Sequence, residues 1–273
     1  MSSGKNLIQT LLGEWNQEGS FRFHMAKTEP SGSTPLQALA HSDGEWEGWQ
    51  LYRGKEKERF TKPFVVTFAQ VSDDRFLFGG LYEIVDRSGE DYAVERKSDL
   101  QEFIGRLVVS FKAANTRSTV FKPQYFFEHA EVAELYPIRY QGEVFPGLEQ
   151  IHHGFRDLEI VFKNDLSDWK AALSNAKGVY LIVDESSGMQ YVGSAYGDDG
   201  FWGRWGQYLQ TLHGGNKHLI ALVKEKSGEH VKNYFRYSIL EVVGSSLIEE
   251  QVIAKESLWK NKLGSRAFGL NAN

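Results

Sequence analysis

The chain has 273 residues, a length that favours two domains over a single core. Its 41% hydrophobic and 25% charged residues are ordinary for a globular protein, and no apolar run approaches the roughly 18 residues of a membrane span. The lack of cysteine excludes disulfides, thiolate nucleophiles and zinc–cysteine sites. A metal would therefore have carboxylate, histidine, amide or water ligands, and an oxygen-rich set of these suits Mg²⁺ or Mn²⁺.

Charge is distributed unevenly along the chain. The net charge is −5, yet from Leu166 onward there are 12 basic and 11 acidic residues. The acidity therefore belongs to the N-terminal part, and the C-terminal part is close to neutral. This leaves room for a local basic groove but predicts no basic tail. The apolar stretch Leu7–Leu12 is too short for a signal peptide, so we expect a cytoplasmic protein without a membrane partner.

The predicted N-terminal elements are mostly strands. A short helix over Leu7–Trp15 comes first, and turn-forming residues follow from Thr28 to Pro35. The next segments are β-branched, aromatic and partly alternating: Pro63–Val71, Phe76–Val85, Tyr92–Glu95, Leu107–Phe111 and Leu158–Phe162. They predict a β-rich domain, a sandwich or small barrel, over residues 1–164.

This N-terminal domain is the candidate for target recognition or for docking of a protein partner. Aromatic and basic residues that are close together in its sequence could line a pocket for a flipped base: Trp46, Trp49, Tyr52, Arg53, Arg59 and Phe60. For any one of them, a place in the core or on a charged surface is the simpler interpretation. The acidic balance also permits docking of a protein partner as a further alternative.

The pattern changes near Asp165, which we predict to begin a second domain over residues 165–273. A short helix there precedes a hairpin, two helices, a third strand and a long helix. The predicted bounds are Asp168–Leu173, Gly178–Val183, Met189–Ser194, Phe201–Leu212, His218–Lys224, Tyr234–Val243 and Ser246–Leu263, where Ser246 and Glu249 match a capping box. The expected fold class is α+β, with a three-stranded sheet and flanking helices in this domain.

Two tripeptides on the hairpin carry a resemblance. Gly178-Val179-Tyr180 and Tyr191-Val192-Gly193 are roughly ten residues apart, and Arg204, Tyr208 and Glu256 follow in order. Taken singly, each has a plain alternative as a packing aromatic, a surface arginine or a solvated glutamate. Together they resemble the GIY-YIG nuclease superfamily, and a restriction-endonuclease-like member of it in particular. The resemblance covers the C-terminal domain only.

The resemblance implies a role for each motif residue. Arg204 would grip the scissile phosphate as a planar, bidentate donor. Glu256 would bind one Mg²⁺, with Mn²⁺ as an alternative, beside the leaving 3′ oxygen. Tyr180 or Tyr191 would take the proton from the attacking water, and Tyr208 would hold a phosphate or that water.

Further contacts to nucleic acid are expected outside this set. The residues concerned are His213, Asn216, Lys260 and Asn271, with a helix-capping role as the alternative for His213. One position departs from the family, because many members have a lysine directly after the second tripeptide and this chain has Ser194. Lys217, Lys255 or Lys260 could serve instead, or a tyrosine could act unaided, so the identity of the base stays open.

The sequence therefore predicts a metal-dependent DNA endonuclease of restriction or defence type, with an N-terminal specificity module. The alternatives are an RNA-cutting or DNA-repair nuclease subunit, and a catalytically lapsed protein that only binds nucleic acid. Double-stranded DNA is the expected substrate. One active site per chain would then require a homodimer or two sequential nicks.

Overall fold

A computed structural model describes residues 3–28, 34–54, 58–115, 117–244 and 247–271. The chain divides into two compact units, Met1–Tyr140 and Gln141–Asn273. Among the helices of the described residues, none is long and apolar enough to cross a membrane.

The N-terminal unit is built on one mixed sheet. Its strands are β1 (Phe21–Ala26), β2 (Phe64–Ser72), β3 (Arg75–Asp86), β4 (Ala93–Arg96), β5 (Leu107–Phe111), β6 (Val120–Phe121) and β7 (Ala130–Leu135). The spatial order is β6-β1-β2-β3-β5-β7, with β4 added to β3. Only β1 and β2 run parallel among the described pairs. Helices α1 to α4 accompany the sheet: α1 (Ser3–Leu12), α2 (Pro35–His41), α3 (Asp43–Leu51) and α4 (Pro123–His129).

The strands predicted at Pro63–Val71, Phe76–Val85 and Leu107–Phe111 are confirmed as β2, β3 and β5. Their arrangement differs from the expected sandwich or barrel, because all described strands of this unit belong to a single open sheet. The parallel pair β1–β2 is the physical reason, since parallel neighbours need a crossover connection rather than a tight turn. Helices α2 and α3 lie within that connection.

Local capping explains why α2 and α3 form. The Thr34 side chain accepts a hydrogen bond from the Gln37 amide at 3.1 Å, and Pro35 occupies the first turn of α2. The Ser42 hydroxyl accepts from the Glu45 amide at 3.1 Å and begins α3. From α3, the buried Trp46 indole donates to a backbone carbonyl of β3. The crossover is thereby tied to the sheet.

The C-terminal unit has a second sheet, with the order β10-β9-β11-β8 and antiparallel pairing throughout. Its strands are β8 (His152–Gly154), β9 (Lys177–Asp184), β10 (Met189–Ala195) and β11 (Phe235–Val243). Its helices are α5 (Phe155–Lys163), α6 (Ser167–Ser174), α7 (Gly200–Thr211), α8 (Lys217–Lys226), α9 (Gly228–Tyr234), α10 (Glu249–Leu263) and α11 (Ser265–Phe268). The predicted hairpin, third strand and long helix are confirmed. The sheet has four strands instead of three because the short β8 joins β11.

Two expectations about the start of this unit need correction. Leu158–Phe162, predicted as a strand, belongs to helix α5, where Phe155, Leu158 and Val161 are buried at three-residue spacing. The domain boundary predicted at Asp165 falls between α5 and α6, inside the second unit. Residues from Gln141 join this unit because β8 pairs with β11.

The start of the long helix is also different in detail. Ser246, the predicted capping residue, lies outside the described residues. Helix α10 begins at Glu249, and the Gln251 side chain accepts a hydrogen bond from the Ile248 amide at 3.1 Å. Because Ser246 lies outside the described residues, the capping box of Ser246 and Glu249 stays a prediction.

Candidate active site

The glycines of the two tripeptides have steric roles. Tyr180 on β9 is paired with Gly193 on β10, and a Cβ at Gly193 would lie 2.4 Å from the Tyr180 hydroxyl oxygen. A Cβ at Gly178 would lie 2.0 Å from the backbone oxygen of Glu241 on β11. Neither position has room for a side chain. The tripeptides thus allow the Tyr180 ring to lie flat across β10 and allow β9 to approach β11 closely.

A buried hydrogen-bond triangle joins the hairpin to α7. Tyr180 donates from its hydroxyl to the Tyr208 hydroxyl at 3.0 Å. Arg204 donates from Nε to the Tyr180 hydroxyl at 3.1 Å and from Nη2 to the Tyr208 hydroxyl at 2.9 Å. The guanidinium carbon also lies 4.8 Å from the Tyr208 ring centre. The guanidinium of Arg204 is therefore fixed along one edge by the two hydroxyls and on one face by the Tyr208 ring.

The two phenols of this triangle keep their protons. Both side chains are 0% exposed, and burial is the main cause that raises the pKa of the Tyr180 and Tyr208 hydroxyls well above the ordinary value. A phenol that resists ionisation makes a poor proton acceptor. The geometry thus makes Tyr180 and Tyr208 supports for Arg204, although the sequence offered Tyr180 as a general base and Tyr208 as a phosphate or water ligand.

The remaining donors of Arg204 point to its own helix and to the loop beyond. Its Nη1 donates to Gln207 Oε1 at 2.7 Å and to the Gly214 carbonyl at 3.1 Å. Arginine has five N–H groups, and within the described part of the chain four of those of Arg204 have partners. One Nη2 hydrogen remains for a ligand, and release of the Gln207 contact would provide a second.

The loop after α7 owes its shape to several polar contacts. Gly214 has a φ of +53°, and a Cβ there would lie 2.6 Å from the Tyr208 ring. His213 Nδ1 accepts from the Gly215 amide at 3.0 Å. Asn216 Oδ1 caps α8 by accepting hydrogen bonds from the backbone amides of His218 and Leu219, at 2.9 and 3.0 Å. His213 and Asn216 therefore shape the loop that gives Arg204 its carbonyl partner, and their contact with nucleic acid stays a prediction.

Glu256 on α10 faces the end of β10. Its Oε2 accepts from the Ser194 hydroxyl, and its Oε1 pairs with the Lys260 ammonium one helical turn later. Of the three lysines considered as substitutes for the family lysine, Lys260 is thus the one beside Glu256. Lys255 instead pairs with Glu241 on β11.

One cleft brings these groups together. It has a volume of about 610 Å³, and its lining includes Tyr191, Ser194, Tyr196, Asp198, Asp199, Arg204, Gln207, Ile253 and Glu256. Tyr180 and Tyr208 lie behind it in the core. Tyr191 is therefore the tripeptide tyrosine that lines the cleft, and the identity of the general base stays a prediction.

Asn271 does not face the cleft as expected. It is buried, its Oδ1 accepts from the Val192 amide at 2.9 Å, and its Nδ2 donates to the Val192 carbonyl at 2.7 Å. Because β10 is an edge strand of the sheet, the side chain acts as a one-residue extension of that sheet. This geometry gives Asn271 a structural role, because it bonds the last described residue to the second tripeptide, and its contact with nucleic acid stays a prediction.

The donor set at the cleft fits a cation that is completed by substrate. No group of three or more histidine or acidic side chains in the described residues could hold a metal by itself. Mg²⁺, however, commonly binds through one or two carboxylates, several waters and substrate phosphates. Glu256 provides one carboxylate, and Asp198 and Asp199 also line the cleft. The residues are thus compatible with Mg²⁺ or Mn²⁺ bound together with a phosphate.

Sequence reasoning missed three features of the site. Tyr196 and Ile253 line the cleft, and Ser194 contacts Glu256, although Ser194 had been noted only for the missing lysine. The contact between Glu256 and Lys260 could be predicted from their spacing, because residues four apart on a helix are neighbours. Nothing in the local pattern around Tyr196 distinguishes it from a loop aromatic.

Comparison with known proteins found two solved structures. No family model and no curated protein matches the chain. The two structures are the catalytic domain of the intron endonuclease I-TevI in a mutant form and the catalytic domain of the homing endonuclease I-TevI. Each is 25% identical and covers 36% of this chain and 94% or 98% of its own, with TM-scores of 0.30 and 0.29. At TM-scores this low, the activity has to be inferred from the chain's own residues.

Proposed function

We propose that the C-terminal unit is an endonuclease that hydrolyses DNA phosphodiester bonds with the help of a divalent cation. The observation that carries this proposal is the presence, along one cleft, of the Arg204 guanidinium and the Glu256 carboxylate. A phosphodiester under attack gains negative charge on its free oxygens, which a fixed planar cation stabilises. A carboxylate in the same cleft suits a metal ion near the leaving oxygen.

The environment of Arg204 supports its assignment as the phosphate ligand. Tyr180 and Tyr208 hold the guanidinium from behind, so little reorganisation is needed when substrate arrives. Gln207 is exposed, and its contact with Nη1 gives way to a phosphate oxygen. The guanidinium then offers two parallel N–H groups, which is the geometry that phosphate prefers.

We assign the attacking water to Tyr191. Tyr191 is the tyrosine of the two tripeptides that lines the cleft; it orients the water and, as a phenolate, takes up the water's proton and becomes the neutral phenol. Ser194 donates to Glu256 and thereby orients the carboxylate. Glu256 would hold Mg²⁺ or Mn²⁺, which would supply Lewis-acid stabilisation of the departing 3′ oxygen. Lys260, which lies beside Glu256, contacts a phosphate of the same strand.

Target choice is assigned to the N-terminal unit. The C-terminal part is near neutral from Leu166 onward, and residues 141–165 add five acidic and two basic side chains. Charge alone therefore gives this unit weak affinity for DNA, because non-specific binding depends on phosphate neutralisation. A separate reader fits a restriction or defence nuclease. Cutting of both strands follows from a homodimer or from two sequential nicks.

The aromatic pocket expected in the N-terminal unit is only partly compatible with the structure. Trp46 and Phe60 are fully buried in the core, as the simpler interpretation had it. Tyr52 is 51% exposed, and the Arg59 guanidinium lies 6.0 Å from its ring centre. Any base contact in this unit is therefore assigned to Tyr52 and its neighbours on the surface.

Cleavage of supercoiled plasmid and of RNA, with Mg²⁺ or with EDTA, tests the proposed function. We expect Mg²⁺-dependent nicking of plasmid, abolished by Glu256→Gln and by Arg204→Ala. Glu250→Gln on the same helix and Arg236→Ala on β11 are matched controls, since Glu250 is exposed and Arg236 pairs with Glu185. Cleavage of RNA alone would assign the unit to RNA. Binding without any cleavage would identify a lapsed nuclease and refute the proposal.

A further inference from the structure

The cleft has an apolar wall beside its charged groups. Tyr196 is 38% exposed and Ile253 is 40% exposed, and both line the same cleft as Arg204 and Glu256. A phosphate and a cation need neither of these side chains. An exposed aromatic ring next to a phosphate-binding arginine suits the other part of a nucleotide, the base.

The wall is held in position at both ends. Tyr196 follows the last residue of β10 directly, so its backbone is fixed by the sheet. The Glu249 carboxylate in the first turn of α10 interacts with its hydroxyl and, ahead of burial, raises the pKa of that hydroxyl. Ile253 lies one turn after Glu249 and one turn before Glu256, on the same helix face. The ring is therefore positioned before any substrate binds.

The size of the cleft limits what can enter. Its volume of about 610 Å³ is that of a site for a drug-sized ligand, for which pockets of roughly 300–1,000 Å³ are usual. That space suits roughly one or two nucleotides of a single strand. A duplex base that enters the cleft beside its phosphate loses the stacking on its neighbours. The lost stacking needs a replacement, and an aromatic side chain supplies one.

We infer that Tyr196 and Ile253 form a nucleobase wall, which takes one unstacked base beside the scissile phosphate. This inference rests on the proposed function, since Arg204 must place that phosphate. Every base has an aromatic face, so the wall selects an unstacked base rather than a sequence. Substrates in which this base is mismatched or single-stranded are cut faster than a fully paired duplex, because less stacking is lost on entry.

The test pairs protein variants with altered substrates. Wild-type enzyme first maps the cleavage position on a labelled oligonucleotide, and the flanking base is then removed to leave an abasic site. We expect Tyr196→Ala to lower kcat/KM on the intact strand by about 5- to 150-fold, the range that base–aromatic stacking supplies. The abasic substrate should lower the wild-type value by a similar factor, and Tyr196→Ala should then cause no further loss.

Three further measurements separate stacking from a structural effect. Tyr196→Phe should keep most of the activity, since the ring remains. Tyr234→Ala removes a 44% exposed tyrosine of α9 and should change nothing. A 2-aminopurine at the flanking position should be quenched on binding to wild-type enzyme and not on binding to Tyr196→Leu.

The possible outcomes distinguish the two proposals. An equal loss for Tyr196→Ala on intact and abasic substrates, or no loss at all, would overturn the nucleobase wall and leave the nuclease assignment in place. A wild-type protein that cuts no substrate with Mg²⁺ would overturn the nuclease assignment and the wall with it.

Discussion

Replacement of Gly193 by alanine tests whether the Tyr180 hydroxyl positions Arg204, because it changes neither Arg204 nor Glu256. The added Cβ would lie 2.4 Å from the Tyr180 hydroxyl oxygen and 2.5 Å from Cζ, so the ring has to move. Overpacking of a core by one methyl costs about 1–3 kcal/mol, which corresponds to a fall of roughly 3–10 °C in Tm for a unit of this size. The moved hydroxyl no longer meets Arg204 Nε, and a misplacement of about 1 Å costs roughly 100-fold in rate.

Melting followed by circular dichroism and plasmid nicking with Mg²⁺ measure the two effects separately. Gly206→Ala on α7 is the matched control, because its Cβ would meet its nearest neighbour at 3.5 Å, an ordinary contact. Combining Gly193→Ala with Tyr180→Phe leaves the 2.5 Å approach to Cζ, so stability should stay low. Activity should not return, since Arg204 has still lost its partner. Wild-type nicking by Gly193→Ala would refute the idea that the Tyr180 contact positions Arg204.

Three other changes give separable results. Lys260→Met should tighten Mn²⁺ binding to the full-length protein by about five-fold, measured by calorimetry, because the ammonium and the metal compete for Glu256; unchanged affinity would argue against a metal at Glu256. Asn271→Ala should lower the free energy of unfolding in urea by about 1–3 kcal/mol, because it leaves the Val192 backbone groups without side-chain partners. Burial lowers the pKa of His24 to about 3 in the folded chain. In the unfolded chain the same imidazole is protonated below pH ~6.5. Stability should therefore fall by up to about 1.4 kcal/mol per pH unit from pH ~6 downward, and His24→Gln should flatten that dependence.

Elements with a strong local pattern could be predicted from sequence. The hairpin of β9 and β10 alternates and has a turn of polar residues and glycine, and α10 is a long run of helix-forming residues that ends at Gly264. The short apolar run Leu158–Phe162 has the composition of a strand and of a buried helix turn alike. Its burial on α5 depends on tertiary contacts that no local pattern contains.

Pairing between distant segments explains the other differences. The strand β8 has only three residues and exists because β11 provides a partner. The parallel pairing of β1 with β2, which replaces the expected sandwich, likewise joins segments separated by two helices. A fragment that started at Leu166, at the expected boundary, would lack β8 and α5. A C-terminal fragment should begin near Gln141 instead.

The site was predictable where one residue type dictates the chemistry. An arginine for a phosphate and a glutamate for a cation are found by type and order along the chain, and the structure brings Arg204 and Glu256 to one cleft. Which tyrosine lines the cleft was not predictable, because this depends on burial. Tyr180 and Tyr191 look equivalent in the tripeptides, yet only Tyr191 lines the cleft.

The most direct test of the central claim is the single-turnover rate of plasmid nicking by full-length protein as Mg²⁺ is varied, for wild type and for Glu256→Gln. The account predicts a rate that rises with Mg²⁺ and saturates for wild type. For Glu256→Gln it predicts a rate lower by at least about 100-fold at every Mg²⁺ concentration, as for loss of a group that stabilises transition-state charge. Equal rates for the two proteins, or nicking that persists in EDTA, would contradict it.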